Sequence, residues 1–321
     1  MLQSFKTNDG VTLRYVDTGA GSEVEDEGRD WLVLIHGFTG SGTVWQRNVP
    51  AFSKEYRVIV PDLRGHGDSD KLRHGFHVCR LAMDLKEMIS HLEGSASSNR
   101  AWKAIGGSLG CSILWCYASL FTTSPFSHMI FVDQSPLQDY SRYDDWDERF
   151  GNRGMNNPAA LAGLQETLAT SPETAHKGTI AACLSYRSHP LPTDNVASQK
   201  SSEDEAFFLT EAMKGNPEFY GRLMADHTSL DWRESIKATF GPESGSETKV
   251  LVVASSRSGC FPAEGPMKVV EFVNGGVEKE GFARGEVVEW GGHWCYWEDH
   301  EKFDGLCLRF LGEGVGERVN L

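Results

Sequence analysis

Continuous apolar runs alternate with amphipathic segments at both ends of this chain. The runs Trp31–Ile35 and Tyr56–Val60 contain little or no polar alternation, which is typical of strands buried on both faces of a sheet. Leu81, Leu85 and Leu92 have the spacing of one apolar helix face. Together these patterns predict a mostly parallel sheet covered by helices, an α/β fold. The predicted strands are residues 12–16, 31–35, 56–60, 101–105, 128–132, 249–254 and 285–290.

The strand pattern stops in the middle of the chain. Residues 137–236 show helical and loop patterns with many turn residues and no convincing buried strand. Residues 1–136 and 237–321 are therefore predicted to form one α/β core, which closes with a helix over Phe303–Leu311. We expect the inserted segment to be a mainly helical cap over the carboxyl ends of the strands, where open α/β sheets bind their ligands.

A five-residue motif, Gly106-Gly107-Ser108-Leu109-Gly110, lies between a predicted strand and an apolar helix. It fits G-x-S-x-G, the nucleophile elbow, a strained turn that exposes one serine hydroxyl above the sheet. Gly106 and Gly110 are expected to prevent side-chain clashes across this turn. The strand, turn and helix context predicts that Ser108 is a nucleophile.

Composition and charge exclude several classes of partner. The formal net charge of −14 argues against nucleic acid and anionic membrane surfaces, because both need clustered Lys and Arg. Seven cysteines without CxxC pairs disfavour a disulfide framework and a zinc site. The first residues have no apolar signal segment, and no run approaches the ~20 apolar residues that span a bilayer. These features predict a cytoplasmic protein and leave its oligomeric state open.

Four motifs together resemble those of the α/β-hydrolase fold superfamily. They are His36–Gly40, Pro61–Ser69, the elbow, and Gly291–Trp294, and they occur in the family's order. The resemblance covers nearly the whole chain except the cap. Within the superfamily, the chain most resembles the serine hydrolase branch with a cap domain, which includes esterases, lactonases and cofactor-free haloperoxidase-like hydrolases. Because Ser108 occupies the nucleophile position, an aspartate nucleophile, as in the family's epoxide hydrolases, is excluded.

The serine must lose its proton as it attacks, so an imidazole is needed within hydrogen-bond reach. His293 follows a predicted strand and two glycines, and it lies downstream of Ser108 as in the family. It is therefore the predicted general base. The resemblance implies a structural role for His36 and a structural turn for Pro61–Ser69, whose acidic residues and histidine could otherwise suggest a metal site.

The acidic member of the site departs from the common family pattern. The family usually places an Asp after the strand predicted at 249–254, but that position holds Ser258. Some members place the acid one strand earlier, where this chain has Asp133. We therefore predict Asp133 as the acid, with Glu264 as the second candidate and Asp139 as the third.

Two further sets of residues are predicted around the nucleophile. The oxyanion hole should use the backbone N–H of Leu109, at the start of a helix. By resemblance, Phe38 supplies the second N–H, and its side chain is expected to line a substrate pocket. In the cap, Phe207 and Met224 either line that pocket or pack the cap onto the core. Trp232 is expected at a helix boundary and is a further candidate for substrate contact.

These features predict a carboxylic ester hydrolase that acts on a small ester or lactone without a cofactor or metal. Ser108, His293 and Asp133 would form its catalytic triad. Two alternatives stay open at this level. The same triad could serve perhydrolase or lyase chemistry, or the protein could be a receptor-like ligand binder with little turnover.

Overall fold

The central element of the protein is an eight-stranded sheet. The computed structural model describes residues 2–20, 28–94, 100–185, 189, 199–275 and 282–313. Its strands are β1 Leu2–Lys6, β2 Thr12–Asp17, β3 Trp31–Ile35, β4 Arg57–Pro61, β5 Trp102–Gly107, β6 Phe126–Val132, β7 Lys249–Ser255 and β8 Ala283–Val288. Every predicted strand is confirmed, with shifts of at most a few residues at its ends.

The order of the strands places the functional motifs together at the carboxyl ends of the parallel strands. The order is β1-β2-β4-β3-β5-β6-β7-β8. The β1–β2 hairpin is antiparallel, as is the pairing of β2 with β4, whereas all later neighbours are parallel. The carboxyl ends of β3, β5, β6, β7 and β8 therefore lie side by side, which brings the loops that follow them together.

The helices that the structure describes cover both faces of this sheet. They are α1 Val49–Phe52, α2 Val78–Gly94, α3 Leu109–Phe121, α4 Pro158–Thr170, α5 Pro172–Cys183, α6 Gln199–Ala212, α7 Pro217–Ser229, α8 Arg233–Phe240, α9 Glu264–Val273, α10 Cys295–Glu298 and α11 His300–Leu311. None of the described helices is long and apolar enough to cross a membrane.

Two apolar clusters form the core, one on each face of the sheet. Side chains of β3 alternate between them: Trp31, Val33 and Ile35 enter the first, and Leu32 and Leu34 enter the second. This alternation follows from the two-residue period of a strand. It explains why the central strands are apolar at every position, since each side chain meets a covering layer.

Helices α4–α7 fill the interval between β6 and β7, where the sequence predicts a cap. The described residues of this interval contain no strand. The predicted boundary between residues 236 and 237 falls inside α8, and this helix packs against α3 and α9 of the core. Its apolar face, with Ile236 and Phe240, belongs to the same apolar cluster as residues of β3 and α3, and the boundary of the cap stays a prediction.

Candidate active site

The turn between β5 and α3 holds Ser108 in a strained conformation. Ser108 has φ 53° and ψ −117°, which L-amino acids rarely adopt. A Cβ added at Gly106 would lie 2.6 Å from the carbonyl carbon of Gly110, and one added at Gly110 would lie 2.6 Å from the Ile35 oxygen. The predicted need for glycine at both positions is confirmed, because no side chain fits between the turn, α3 and β3.

Asp133 lies directly after β6, with φ 49°, and its side chain is completely buried. Its Oδ2 accepts a hydrogen bond from Nδ1 of His293 at 2.7 Å. Its Oδ1 accepts one from the backbone N–H of Ser255 at 2.9 Å. The neighbouring ends of β6, β7 and β8 thus bring together an acid and an imidazole that are 160 residues apart.

Ser258 occupies the position where the family usually has its acid, and it contacts Asp133 directly. Its hydroxyl donates to Oδ2 of Asp133 at 2.6 Å. The Ser258 hydroxyl oxygen in turn accepts hydrogen bonds from the backbone N–H groups of Cys260 and Phe261, each at 3.1 Å. The sequence indicated only that Ser258 lacks a carboxylate. Its role as a donor to the acid of the adjacent strand depends on the parallel pairing of β6 with β7.

The other two acidic candidates lie in different environments. Glu264 is exposed at the first position of α9. Asp139 accepts the backbone N–H of Ser141 at 3.0 Å and pairs with Arg142 at 2.9 Å. Glu264 is thus an exposed residue at the start of a helix, and Asp139 is a carboxylate that caps a turn. The carboxylate bonded to His293 is that of Asp133.

His293 is buried, and its hydrogen bond to Asp133 fixes the orientation of its ring. Because Nδ1 donates to Asp133, the lone pair of the neutral ring resides on Nε2. Burial by itself would lower the pKa of His293, but the neighbouring Cys260 sulfur and the Asp133 carboxylate raise it above its usual value. The ring is therefore prepared to accept a proton at Nε2 and to be stabilised when charged.

The hydroxyl of Ser108 has one polar neighbour that sequence inspection missed. It donates to Oε1 of Gln134 over a long 3.4 Å, and Nε2 of Gln134 donates to the carbonyl of Ser135 at 2.9 Å. Gln134 follows Asp133 at the end of β6, so only its position next to a candidate acid could have drawn attention to it. It gives the hydroxyl a weak acceptor on the side of β6.

The loop after β3 packs against the Ser108 turn. A Cβ added at Gly37 would lie 3.1 Å from the Cβ of Ser108. His36 stabilises this loop, since its Nδ1 donates to the Gly37 carbonyl at 2.8 Å and its Nε2 accepts the N–H of Leu63 at 3.0 Å. Phe38 therefore follows a glycine in contact with Ser108. Leu109 begins α3, where the first N–H groups have no acceptor within the helix.

Ser108 and His293 face one cavity of about 400 Å³. Phe38 and Met224 are among its lining residues. Helices α4 and α5 contribute mainly small residues, namely Gly163, Thr167, Thr174, Ala175, Gly178, Thr179 and Ala182. A cavity of this size, with a mostly apolar wall, fits a small organic molecule.

Two residues predicted to contact substrate lie outside this lining. Phe207 stacks on Trp297, with ring centroids 4.5 Å apart and planes within 7°. Trp232 lies at the start of α8, and its ring is 6.5 Å from that of Trp115. Phe207 therefore packs α6 against α10, and Trp232 packs the start of α8 against α3. Packing was the alternative expected for the aromatic residues of the cap.

Two segments rich in polar residues, 61–69 and 226–233, could suggest catalysis. The carboxylates of Asp62 and Asp226 within them accept hydrogen bonds from backbone N–H groups. The Asp62 carboxylate accepts the N–H groups of Gly42 and Asp68 at 2.6 and 2.7 Å. The Asp226 carboxylate accepts the N–H of Val78 at 2.8 Å, at the start of α2. Its neighbour His227 is buried, and burial lowers its pKa to about 3. These carboxylates stabilise a turn and a helix terminus.

Comparison with known proteins finds enzymes that share this fold or part of this sequence. The solved esterase of Exiguobacterium antarcticum superposes with a TM-score of 0.77 at 18% identity, covering 98% of this chain and 100% of that one. A soluble epoxide hydrolase of Corynebacterium sp. is 40% identical over 83 residues, 26% of each chain. The pimeloyl-[acyl-carrier protein] methyl ester esterase of Aliivibrio fischeri is 34% identical over 148 residues, 46% of this chain and 49% of that protein.

The aligned segments span about a quarter to a half of the length of these curated relatives. A wider match comes from the family model for the alpha/beta hydrolase fold, which covers residues 30–300. That range includes the Ser108 turn, Asp133 and His293, together with the six strands from β3 to β8. The chain belongs to the alpha/beta hydrolase fold family.

Proposed function

We propose that the protein is a serine hydrolase that cleaves a small carboxylic ester or lactone through an acyl-enzyme intermediate. The observation that carries this proposal is the hydrogen bond from His293 to the buried Asp133, beside a cavity that Ser108 also lines. An imidazole oriented by a carboxylate, facing the same cavity as a half-buried serine on a strained turn, is the arrangement that acyl transfer requires.

The proposed reaction has two steps. The Ser108 oxygen attacks the carbonyl carbon while Nε2 of His293 takes its proton, and the N–H groups of Leu109 and Phe38 stabilise the oxyanion. His293 returns the proton to the leaving alcohol, which departs. Water then attacks the acyl carbon and gives a proton to His293; the bond from that carbon to the Ser108 oxygen breaks, and His293 returns the proton to this oxygen as the carboxylic acid is released. Asp133 orients the ring and stabilises its charged form.

The relatives support hydrolysis, and the residues favour an ester over an epoxide. The epoxide hydrolase and the methyl ester esterase named above share parts of this chain's sequence. A serine at position 108 suits attack on a carbonyl group, whereas epoxide opening in this family uses an aspartate. We further propose that helices α4–α7 act as a cap that restricts the cavity to small molecules.

The first test is labelling with a fluorophosphonate probe, read by intact mass, alongside a panel of p-nitrophenyl esters of increasing acyl length. Wild-type protein should gain one adduct and turn over at least one ester. Ser108→Ala should gain no adduct and lose kcat by about 10³-fold or more. Labelling that persists in Ser108→Ala, or equal turnover by both proteins, would contradict the proposal.

A further inference from the structure

Three residues from distant parts of the chain form a cluster at one end of the cavity. Cys183 is the last residue of α5, Cys260 lies in the loop between β7 and α9, and His293 follows β8. All three line the cavity that Ser108 faces. The Sγ atoms of Cys183 and Cys260 are 3.6 Å apart, and the possible ligand atoms of the three residues lie within 4.8 Å of one another.

The separation of the two sulfurs matches the coordination geometry of a thiophilic cation. Two sulfurs bound tetrahedrally to one Zn²⁺, each at about 2.3 Å, lie roughly 3.8 Å apart. The observed separation between Cys183 and Cys260 is 3.6 Å. Nδ1 of His293 donates to Asp133, so Nε2 is the nitrogen with a lone pair for a metal. A carboxylate that accepts the other ring N–H is also the usual support of a zinc-binding histidine.

The charge and chemical character of the cluster restrict the ion. Two thiolates and a neutral imidazole balance the charge of a divalent cation, so no net charge enters a mostly apolar cavity. Soft sulfur donors select Zn²⁺ and similar ions over Mg²⁺ and Ca²⁺. Metal binding requires both thiols as thiolates, so the thiol protons are released when the ion binds.

We propose that Cys183, Cys260 and His293 form an inhibitory binding site for a thiophilic divalent cation, with Zn²⁺ as the natural occupant. The ion would take the Nε2 lone pair that is needed to accept the Ser108 proton. Hydrolysis would then stop while the metal is bound and resume when a chelator removes it. Only this consequence for activity rests on the proposed function, because the binding site itself does not need Ser108.

The site is tested by titrating the fully reduced, metal-free protein with Co²⁺ and recording its absorption spectrum. Thiolate ligands give charge-transfer bands in the near ultraviolet, and tetrahedral Co²⁺ gives visible bands that Zn²⁺ abolishes by displacement. Wild-type protein should bind one equivalent. Cys183→Ser and Cys260→Ser should each weaken the bands, and the double variant should lose them. Cys79→Ser, at an exposed cysteine, is the matched control and should leave them unchanged.

Two further measurements separate this inference from the proposed function. Ser108→Ala should retain the Co²⁺ bands, although it lacks turnover. In wild-type protein, saturating Zn²⁺ should abolish ester turnover and EDTA should restore it, whereas the double cysteine variant should keep the same turnover with and without Zn²⁺. Bands that are absent from reduced wild-type protein, or that survive in the double variant, would overturn the site whatever the esterase assay shows.

Discussion

Among individual residues, Asp133 is central to the candidate site, because its carboxylate contacts several of the other residues. It is completely buried and accepts hydrogen bonds from the Ser255 N–H, the Ser258 hydroxyl and Nδ1 of His293. A buried charge with three donors is compensated, and a charge that lost them would be costly. Ser258 thus occupies the position where the family usually has its acid, and it donates a hydrogen bond to the acid that follows the adjacent strand.

Asp133→Asn tests the proposed orienting role of this carboxylate. The amide would present a donor to the ring and favour the tautomer with its proton on Nε2, so kcat should fall by about 10⁴-fold. Asp133 raises the pKa of His293, so the acid limb of any residual kcat/KM against pH should move to lower pH. Near-normal kcat with a folded circular-dichroism spectrum would redirect the assignment to Glu264.

Ser258→Ala is the matched comparison for that variant. It keeps the carboxylate but removes one hydrogen bond to it, which is worth about 1 kcal/mol, so the loss in kcat should be tenfold or less. A loss as large as that of Asp133→Asn would mean that the serine hydroxyl itself is essential.

Among the elements of the site, β5, α3 and β3 approach one another closely around Ser108. Helix α3 begins one residue after Ser108, and Gly110 lies against the end of β3. This close approach fixes the turn that holds Ser108, and it leaves no room for a side chain. Strain at the nucleophile is maintained because the packing of strand and helix on both sides prevents relaxation.

Gly110→Ala should therefore destabilise the protein by about 1–3 kcal/mol, because its Cβ would lie 2.6 Å from the Ile35 oxygen. Gly305→Ala in α11 is the matched control. Its Cβ would meet only the end of Arg309 at 3.8 Å, so the change should stabilise by up to about 1 kcal/mol. Urea unfolding of both variants measures the difference. Equal effects would show that the close contact at Gly110 is not limiting.

At the scale of the whole molecule, α6 joins the segment between β6 and β7 to the core next to the site. The Phe208 ring stacks on Trp294, with centroids 3.8 Å apart, and Trp294 adjoins His293. Asp204 pairs with Arg47 at 2.7 Å, and Glu211 accepts the Ser41 hydroxyl at 2.7 Å. These contacts connect the proposed cap to the loops that surround the cavity.

Small residues of α4 and α5 line the cavity, and Ala182→Leu would add volume to this wall, so it should shorten the substrates that fit. We expect kcat/KM for long acyl chains to fall at least about tenfold, with short esters little affected. Ala162→Leu, at an exposed position of α4, is the control and should preserve the chain-length profile. The p-nitrophenyl ester panel measures both variants. A uniform loss across all chain lengths would contradict a role of Ala182 in selectivity.

Local sequence patterns predicted seven of the eight strands of the sheet. The apolar runs of β3 and β7 need covering layers on both faces, and the glycines around Ser108 need a turn without side chains. The motif order then indicated Ser108 and His293 as candidates. Local patterns did not separate packing from cavity lining in the cap, since Phe207 and Met224 are equally apolar yet only Met224 lines the cavity.

Which distant groups meet depends on the fold of the whole chain. Asp133 reaches His293, and Ser258 reaches Asp133, because parallel pairing aligns the ends of neighbouring strands. Cys183 and Cys260 are 77 residues apart and have no motif spacing, yet their sulfurs are in contact. Side chains that converge from separate strands and helices leave no periodic signal in the chain, so their chemistry depends on the fold that brings them together.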